Sequence, residues 1–275
     1  MAEVEVERLG TNGRGVGRLD SGMAVFVEDG LPGQRVRARL HKVKKSFAEA
    51  RIEEVLEESP HRTEPRCVHF FTCGGCRLQH LDYAAQLRAK TAQVTDALER
   101  IGHFDDPPVR DALDSPDAWG YRNKMEYSFG DVRWLTKEEM GAEEGNVQRD
   151  FALGLHPRGR WAQILHLQEC HLPHPRSVEI LKAVQDRTAG SRFAPYSGKT
   201  HRGYWRFLIT RQGVRTDQWL ADIVTEDLPD AHGETEALAR GLEEIGGNRY
   251  CLDLVQPIDL LPHTPHVECV ARLTA

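Results

Sequence analysis

The chain has 275 residues, of which 40% are hydrophobic and 28% charged, and its net charge is −6. That composition fits a soluble globular protein of two or three domains, and it excludes a chain-wide basic footprint for nucleic acid. No apolar run approaches the roughly 20 residues that a membrane helix needs, so no membrane partner is expected.

The first residues, MAEVEVERLG, have neither a basic n-region nor an apolar h-region. No export signal is therefore expected, and the chain is expected in the cytoplasm, where thiols stay reduced. For the six cysteines, metal or cluster ligation is then a stronger reading than disulfides.

Residues 3–56 read as short strands near ten-residue spacing, broken by Gly and by LPG, which predicts a small β-barrel. Within it, GTNGRGVGRL (10–19) imitates a phosphate loop. No helix pattern follows it, so turn glycines of a barrel explain it better. Residues 30–52 carry seven basic side chains against the single acid Glu49. In QRVRARLHKV, Val36, Ala38 and Leu40 share one face of a strand, while Arg35, Arg37 and Arg39 share the other. Such a row can track a phosphate backbone, with Lys42 and Lys44 extending it; the alternative is a solvated edge strand protected by charge.

After CVHFFTCGGCRLQH (67–80), the apolar positions Leu81, Ala84, Leu87, Val94, Leu98 and Ile101 recur at helical spacing, which predicts a long amphipathic helix over 77–102. YRNKMEYSFGDVRWL and FALGLHPRGRWAQIL read as strands, the latter turning at HPRG. Residues 136–150 are acidic and without period, as in a solvated loop. PRSVEILKAVQDRTA reads as a helix, WRFLITRQGVRTDQWLADIVTED as a hairpin or meander, and HGETEALARGLEEIG as another helix. The stretch 110–230 is thus α+β and mostly antiparallel.

The cysteine pattern is Cys67-x5-Cys73-x2-Cys76 with a distant Cys170. Three-plus-one spacing suits four thiolates on an iron–sulfur cluster; a zinc site or unliganded thiols stay open on spacing alone. His69, His80, His171 and His174 flank these cysteines and could enter a zinc site, although loop histidines are more often exposed. Cys251 and Cys269 lie in apolar strand-like runs, where a buried inert thiol is expected.

CVHFFTCGGCRLQHLDYAAQLRAK, YRNKMEY, FALGLHPRGRW, ILHLQECHLP and WRFLITR together resemble the bacterial S-adenosylmethionine-dependent RNA (uracil-5-)-methyltransferases, over nearly the whole chain. The resemblance implies a TRAM-like, OB-like RNA-binding barrel at 1–57, a central α+β domain at 58–245 and a short C-terminal remnant of an α/β methyltransferase domain at 246–275. It implies that Cys67, Cys73, Cys76 and Cys170 ligate a [4Fe–4S] cluster. It implies RNA, of the ribosomal branch, as partner, with Arg35, Arg37 and Arg39 as contacts beside Lys42 and Lys44; in YRNKMEY, Arg122 and Lys124 are candidates, the alternative being ordinary strand surface. No protein partner is readable. Glu268, in PHTPHVE, matches the family's general base.

In that family a cysteine thiolate adds to C6 of uracil, C5 attacks the methyl of S-adenosylmethionine, and a base removes the C5 proton. The parts for this are missing here. There is no D-x-x-x-G-x-G, no F-x-Q-x-N and no S-C-N-P segment. Asp106-Pro107-Pro108 only imitates the family's D-P-P motif, and Cys251 in YCLDL does not match the nucleophile. Family-like sequence breaks near Gly246-Gly247, and about 30 residues after it cannot hold a nucleotide-binding domain of on the order of 100 residues. The expectation is an RNA- and cluster-binding chain that does not bind S-adenosylmethionine. The alternatives are an enzyme completed by another chain or a longer gene, and an iron–sulfur sensing module. A tail strand that has lost its own sheet should leave an exposed edge or pair elsewhere.

Overall fold

A computed structural model describes residues 1–10, 12–140, 147–226, 233 and 237–238, together with the strands 251–258 and 266–274; of these two strands and of residues 137–138 it describes the backbone alone. The chain forms two compact units. One comprises Met1–Phe71 and Cys76–Ala118, the other Thr72–Gly75 and Trp119–Ala275.

The first unit begins as a closed five-stranded barrel. Its strands are β1 (Ala2–Leu9), β2 (Gly15–Arg18), β3 (Ala24–Glu28), β4 (Arg35–Val43) and β5 (Phe47–Glu57), in the order β1-β2-β3-β5-β4. All pairs are antiparallel except β3 with β5, and β4 returns to β1 to close the ring. Alternation decides the inside: Val4, Val6, Val25, Val27, Val36, Ala38, Ala48 and Ala50 fill the core. Burying each valine contributes about 1.5–3 kcal/mol. The glycines that imitate a phosphate loop belong to this wall. A Cβ on Gly17 would lie 2.2 Å from the Glu5 carbonyl oxygen, so only glycine lets β2 approach β1 there.

Helix α1 runs from Tyr83 to Arg100, shorter at its start than the expected 77–102. Asp82 fixes that start, its carboxylate accepting from the Ala85 N–H at 2.7 Å. Residues just before it are held instead by a bridge between Arg62 and Leu81. The buried face is not the expected stripe. Ala85 and Ala89 pack with Leu9, Leu31 and Leu81, while Val94 and Ile101 stay 52% and 80% exposed. Small alanines bring the helix close to β1, where Arg8 pairs with Asp96 at 3.1 Å and the Gln93 amide donates to the Gly10 carbonyl at 3.0 Å.

The second unit holds an eight-stranded sheet in the order β12-β13-β11-β10-β6-β8-β9-β7. Its strands are β6 (Lys124–Gly130), β7 (Arg133–Trp134), β8 (Ala152–Leu155), β9 (Ile164–His166), β10 (Trp205–Gly213), β11 (Gln218–Glu226), β12 (Cys251–Ile258) and β13 (His266–Thr274). All neighbours are antiparallel except β7 with β9. The YRNK strand starts only at Lys124, because Gly120 and Arg122 donate to the carbonyls of His171 and Leu172. The acidic loop opens with a short helix, α2 (Lys137–Met140). WRFLITRQGVRTDQWLADIVTED forms one hairpin, β10–β11. The expected helix in HGETEALARGLEEIG lies almost wholly outside the described residues. The tail does find an edge: β13 pairs with β11 from Trp219↔Leu273 to Glu226↔His266. β12 becomes the sheet's outer strand, where Pro257 is tolerated.

Helix α3 (Pro175–Thr188) packs on this sheet through Ile180, Leu181 and Val184. The Gln185 amide donates to the Leu153 and Leu167 carbonyls at 2.8 and 2.9 Å, so the buried polar group is satisfied and the helix is registered on the sheet. Beneath it Tyr127, Ser177 and Thr210 form a buried hydroxyl chain, with links of 2.9 and 2.6 Å.

Candidate functional site

The arginine row exists on the outer face of β4, but it is not a free cationic strip. Arg35 binds Glu57 at 2.5 Å and Glu3 at 3.4 Å; Arg37 binds Glu54 and Glu3; Arg39 binds Glu53 at 2.8 Å. The acids come from β1 and β5, directly across the strand gaps, as Glu3↔Arg37, Glu54↔Arg37 and Glu57↔Arg35. The Glu57 hydrogen bond is the main reason the Arg35 pKa rises above its ordinary value. Lys42 holds Glu49 at 2.5 Å, and Arg14 reaches the same carboxylate at 3.2 Å. Hydrogen bonding from Lys42, then the Lys42 and Arg14 charges, hold Glu49 below the usual carboxylate range against a partial desolvation. At the hairpin tip between β4 and β5, Lys44 and Lys45 are exposed and form no ion pair among the described residues. A count of basic residues along 30–52 does not show this, because Glu53, Glu54 and Glu57 lie just past that window on the returning strand of the β4–β5 hairpin, and Glu3 lies on β1.

The cysteines sit in ordered surroundings. In the first unit, the Cys67 N–H donates to the Gln79 side chain at 3.1 Å, and Cys67 and Cys76 are half-buried. In the second unit, Cys73 is 9% exposed and belongs to the main core, against which Cys170 also packs. The Gly75 N–H points at the Cys73 sulfur, 3.4 Å away. The Gly74 N–H donates to the His156 carbonyl at 3.0 Å, and a Cβ on Gly74 would lie 3.0 Å from that oxygen. The two glycines thus let the backbone lie close to the sulfur and to the β8–β9 turn. Burial pushes the Tyr127 phenol up, against the Ser177 hydrogen bond, which favours its charged form. Among the described residues, no group of three or more His, Cys, Asp and Glu side chains is assembled that could hold a metal ion.

The flanking histidines are not merely exposed. His80 is 1% exposed, bonds the Asp29 carbonyl through Nε2 at 3.0 Å and packs against Phe70 and Phe71. His69 is buried as well. His174 caps α3, its Nδ1 accepting from the Arg176 N–H at 3.2 Å. His171 lies 3.3 Å from Glu169 and edge-on to Trp119.

Glu268 stands in β13 opposite Val224 of β11 and Ile258 of β12; its side chain lies outside the described residues, as do those of Cys251 and Cys269. Arg122 is exposed beside the bridge to Pro173, and Lys124 lies 3.6 Å from Glu126.

Residues 2–52 match the TRAM domain family, which coincides with the closed barrel. A protein of Chlorobaculum tepidum described as an uncharacterized RNA methyltransferase is 42% identical over 210 residues, 76% of this chain and 44% of that protein. One of Halalkalibacterium halodurans with the same description is 32% identical over 89% of this chain and 50% of its own length. One of Synechocystis is 32% identical over 94% and 52%. The crystal structure of the Pyrococcus abyssi tRNA (uracil-54, C5)-methyltransferase, solved with S-adenosyl-L-homocysteine, shares the fold at a TM-score of 0.55 and 24% identity, over 84% of this chain and 48% of that one. The chain spans about half the length of the curated relatives it matches. Its barrel and these relatives make it a TRAM-domain member of the RNA-methyltransferase family.

Proposed function

We propose that this chain is the RNA-binding, cluster-bearing part of a ribosomal-RNA (uracil-C5)-methyltransferase, and that by itself it does not transfer a methyl group. The observation that carries this is the match to RNA methyltransferases along most of this chain but only about half of theirs. The sequence lacks both the S-adenosylmethionine motif and the S-C-N-P nucleophile, so Glu268 has no partner chemistry within the chain. The ribosomal branch is inferred from the barrel combined with the cysteine set; likeness to a transfer-RNA enzyme concerns the fold alone.

Cys67, Cys73, Cys76 and Cys170 would hold the [4Fe–4S] cluster. They are thiols of the kind that ligates such clusters, and the Gly75 N–H donates to the Cys73 sulfur, but among the described residues the four side chains are not gathered into a ligand set. When bound, the cluster would supply a structural tie, because ligating Cys170 together with Cys76 would close a long loop of the chain. Within the barrel, the RNA contact falls first on Lys44 at the hairpin tip, joined by Lys45. Arg35, Arg37, Arg39 and Lys42 contact phosphate only by giving up their glutamates. Arg122 and Lys124 are both exposed, and Arg122 comes first in the second unit because Lys124 lies 3.6 Å from Glu126.

Calorimetric titration of anaerobically purified protein tests this. RNA affinity should fall steeply with salt, and S-adenosylmethionine should give no binding heat up to millimolar concentration. Micromolar binding of S-adenosylmethionine would overturn the inactive reading, and absence of RNA binding at low salt would overturn the rest. A second reading, a core supplied by another chain, is favoured by the half-length coverage. Methyl transfer to unmodified ribosomal RNA after the two are mixed is its test.

A further inference from the structure

The second unit contains a cavity of about 220 Å³ lined by Phe129, Trp161, Tyr196, Phe207, His156 and His201, among others. Sites that enclose a drug-sized ligand measure roughly 300–1,000 Å³, so this one has room for a single ring system. Its walls are aromatic and preset. Tyr196 is held from one side by the Arg206 guanidinium, 4.2 Å from its ring centre, and by its hydroxyl, 2.8 Å from His201 Nδ1. Arg206 is itself buried and tied to Glu226 at 3.5 Å. Trp161 is 71% exposed at the rim, and a Cβ on Gly198 would lie 3.5 Å from its ring, so the indole rests over that glycine. Ser128 and His156, 3.4 Å apart, add hydrogen-bonding groups.

The two loops that supply these walls are HPRGRWAQ (156–163) and YSGKTHRG (196–203). Together they carry Arg158, Arg160, Lys199 and Arg202 and no acid, in a chain whose net charge is −6. Arg160, Lys199 and Arg202 are exposed and form no ion pair among the described residues. An aromatic slot with a cationic rim matches a flat, neutral ring on a polyanionic chain. Stacking on aromatic side chains beside positive charge is how unpaired bases are held.

We propose that this cavity binds one unstacked base of single-stranded RNA, with Trp161 as the stacking platform and Arg160, Lys199 and Arg202 on the flanking phosphates. The inference rests on the RNA-binding reading above and adds a site for it outside the barrel. It is tested with the full chain and fluorescent oligouridylate and oligoadenylate of about 12 nucleotides, against an RNA duplex of the same length.

Trp161→Ala should weaken single-strand binding about ten-fold or more without changing the salt slope, since it removes a stack and no charge. Trp161→Phe should stay within about three-fold, because it keeps an aromatic face. The exposed position of Trp161 leaves folding intact, which an unchanged melting curve checks. Equal affinity of Trp161→Ala and the parent, or equal affinity for duplex and single strand, overturns the base site while leaving RNA binding by the chain in place. Failure of the parent to bind any of these RNAs at low salt overturns both readings together.

Discussion

On the barrel, Arg35, Arg37 and Arg39 stand in a row, and every one of them faces a glutamate across a strand gap. Around the cavity of the second unit, Arg160, Lys199 and Arg202 form no ion pair among the described residues. Each set has three cations with exposed side chains. Only the second is electrostatically available to phosphate without first losing an acid. Exposed pairs contribute little to stability, roughly 0–1 kcal/mol each, yet they cancel the field that an approaching polyanion would feel. The barrel face is therefore ordered as a ladder, whereas the cavity rim is left as a charge reservoir beside aromatic walls.

The largest expected effect comes from the rim. Replacing Arg160, Lys199 and Arg202 together by Ala should lower RNA affinity on the order of 100-fold at low salt and reduce the log–log salt slope by about two. An unchanged slope would mean that these cations do not meet phosphates, and the contrast between the two regions would collapse.

A smaller effect of opposite sign is expected on the barrel. Glu3→Gln, Glu54→Gln and Glu57→Gln combined should release Arg35 and Arg37 and tighten RNA binding by about ten-fold, with a steeper salt slope. The reverse experiment, Arg35→Ala, Arg37→Ala and Arg39→Ala combined, should change affinity by less than about five-fold and the slope by less than about one. A slope drop of about two would show that the arginines already prefer phosphate to glutamate, and the ladder would then be the RNA face.

How much of this could be read from the sequence follows from range. The barrel strands, the β8–β9 turn, α3 and the β10–β11 hairpin are written in local period and turn chemistry, and the structure places them where those signals lie. The α1 face is weakly marked because alanine is a weak apolar signal, yet Ala85 and Ala89 are what a close helix–strand approach requires. The burial of His80 has no local mark because its carbonyl partner, Asp29, is 51 residues away. Glu53, Glu54 and Glu57 meet the arginines across the local β4–β5 hairpin, but Glu3 on β1 and the two loops of the cavity meet their partners only through sheet topology. HPRG signals a turn, and nothing local says that Trp161 just after it lines one cavity with Tyr196.

The smallest effect separates the regions by pH. The ladder needs charged carboxylates, and Glu49 is the member held clearly below its ordinary value of 4.5, chiefly by the Lys42 hydrogen bond. A carboxylate whose folded pKa is depressed binds fewer protons folded than unfolded. Its contribution is complete above 4.5 and is lost as pH falls through the lower folded value. Barrel unfolding followed by Phe26 and Phe47 contacts, which lie edge to face at 5.6 Å, should therefore show a small loss of stability below that pH. Glu49→Gln should remove the Glu49 part of the slope while leaving stability near neutrality only slightly changed. If parent and variant titrate alike, Lys42 and Arg14 do not hold Glu49 in solution. Lys42 would then be as available to phosphate as the cations of the cavity rim.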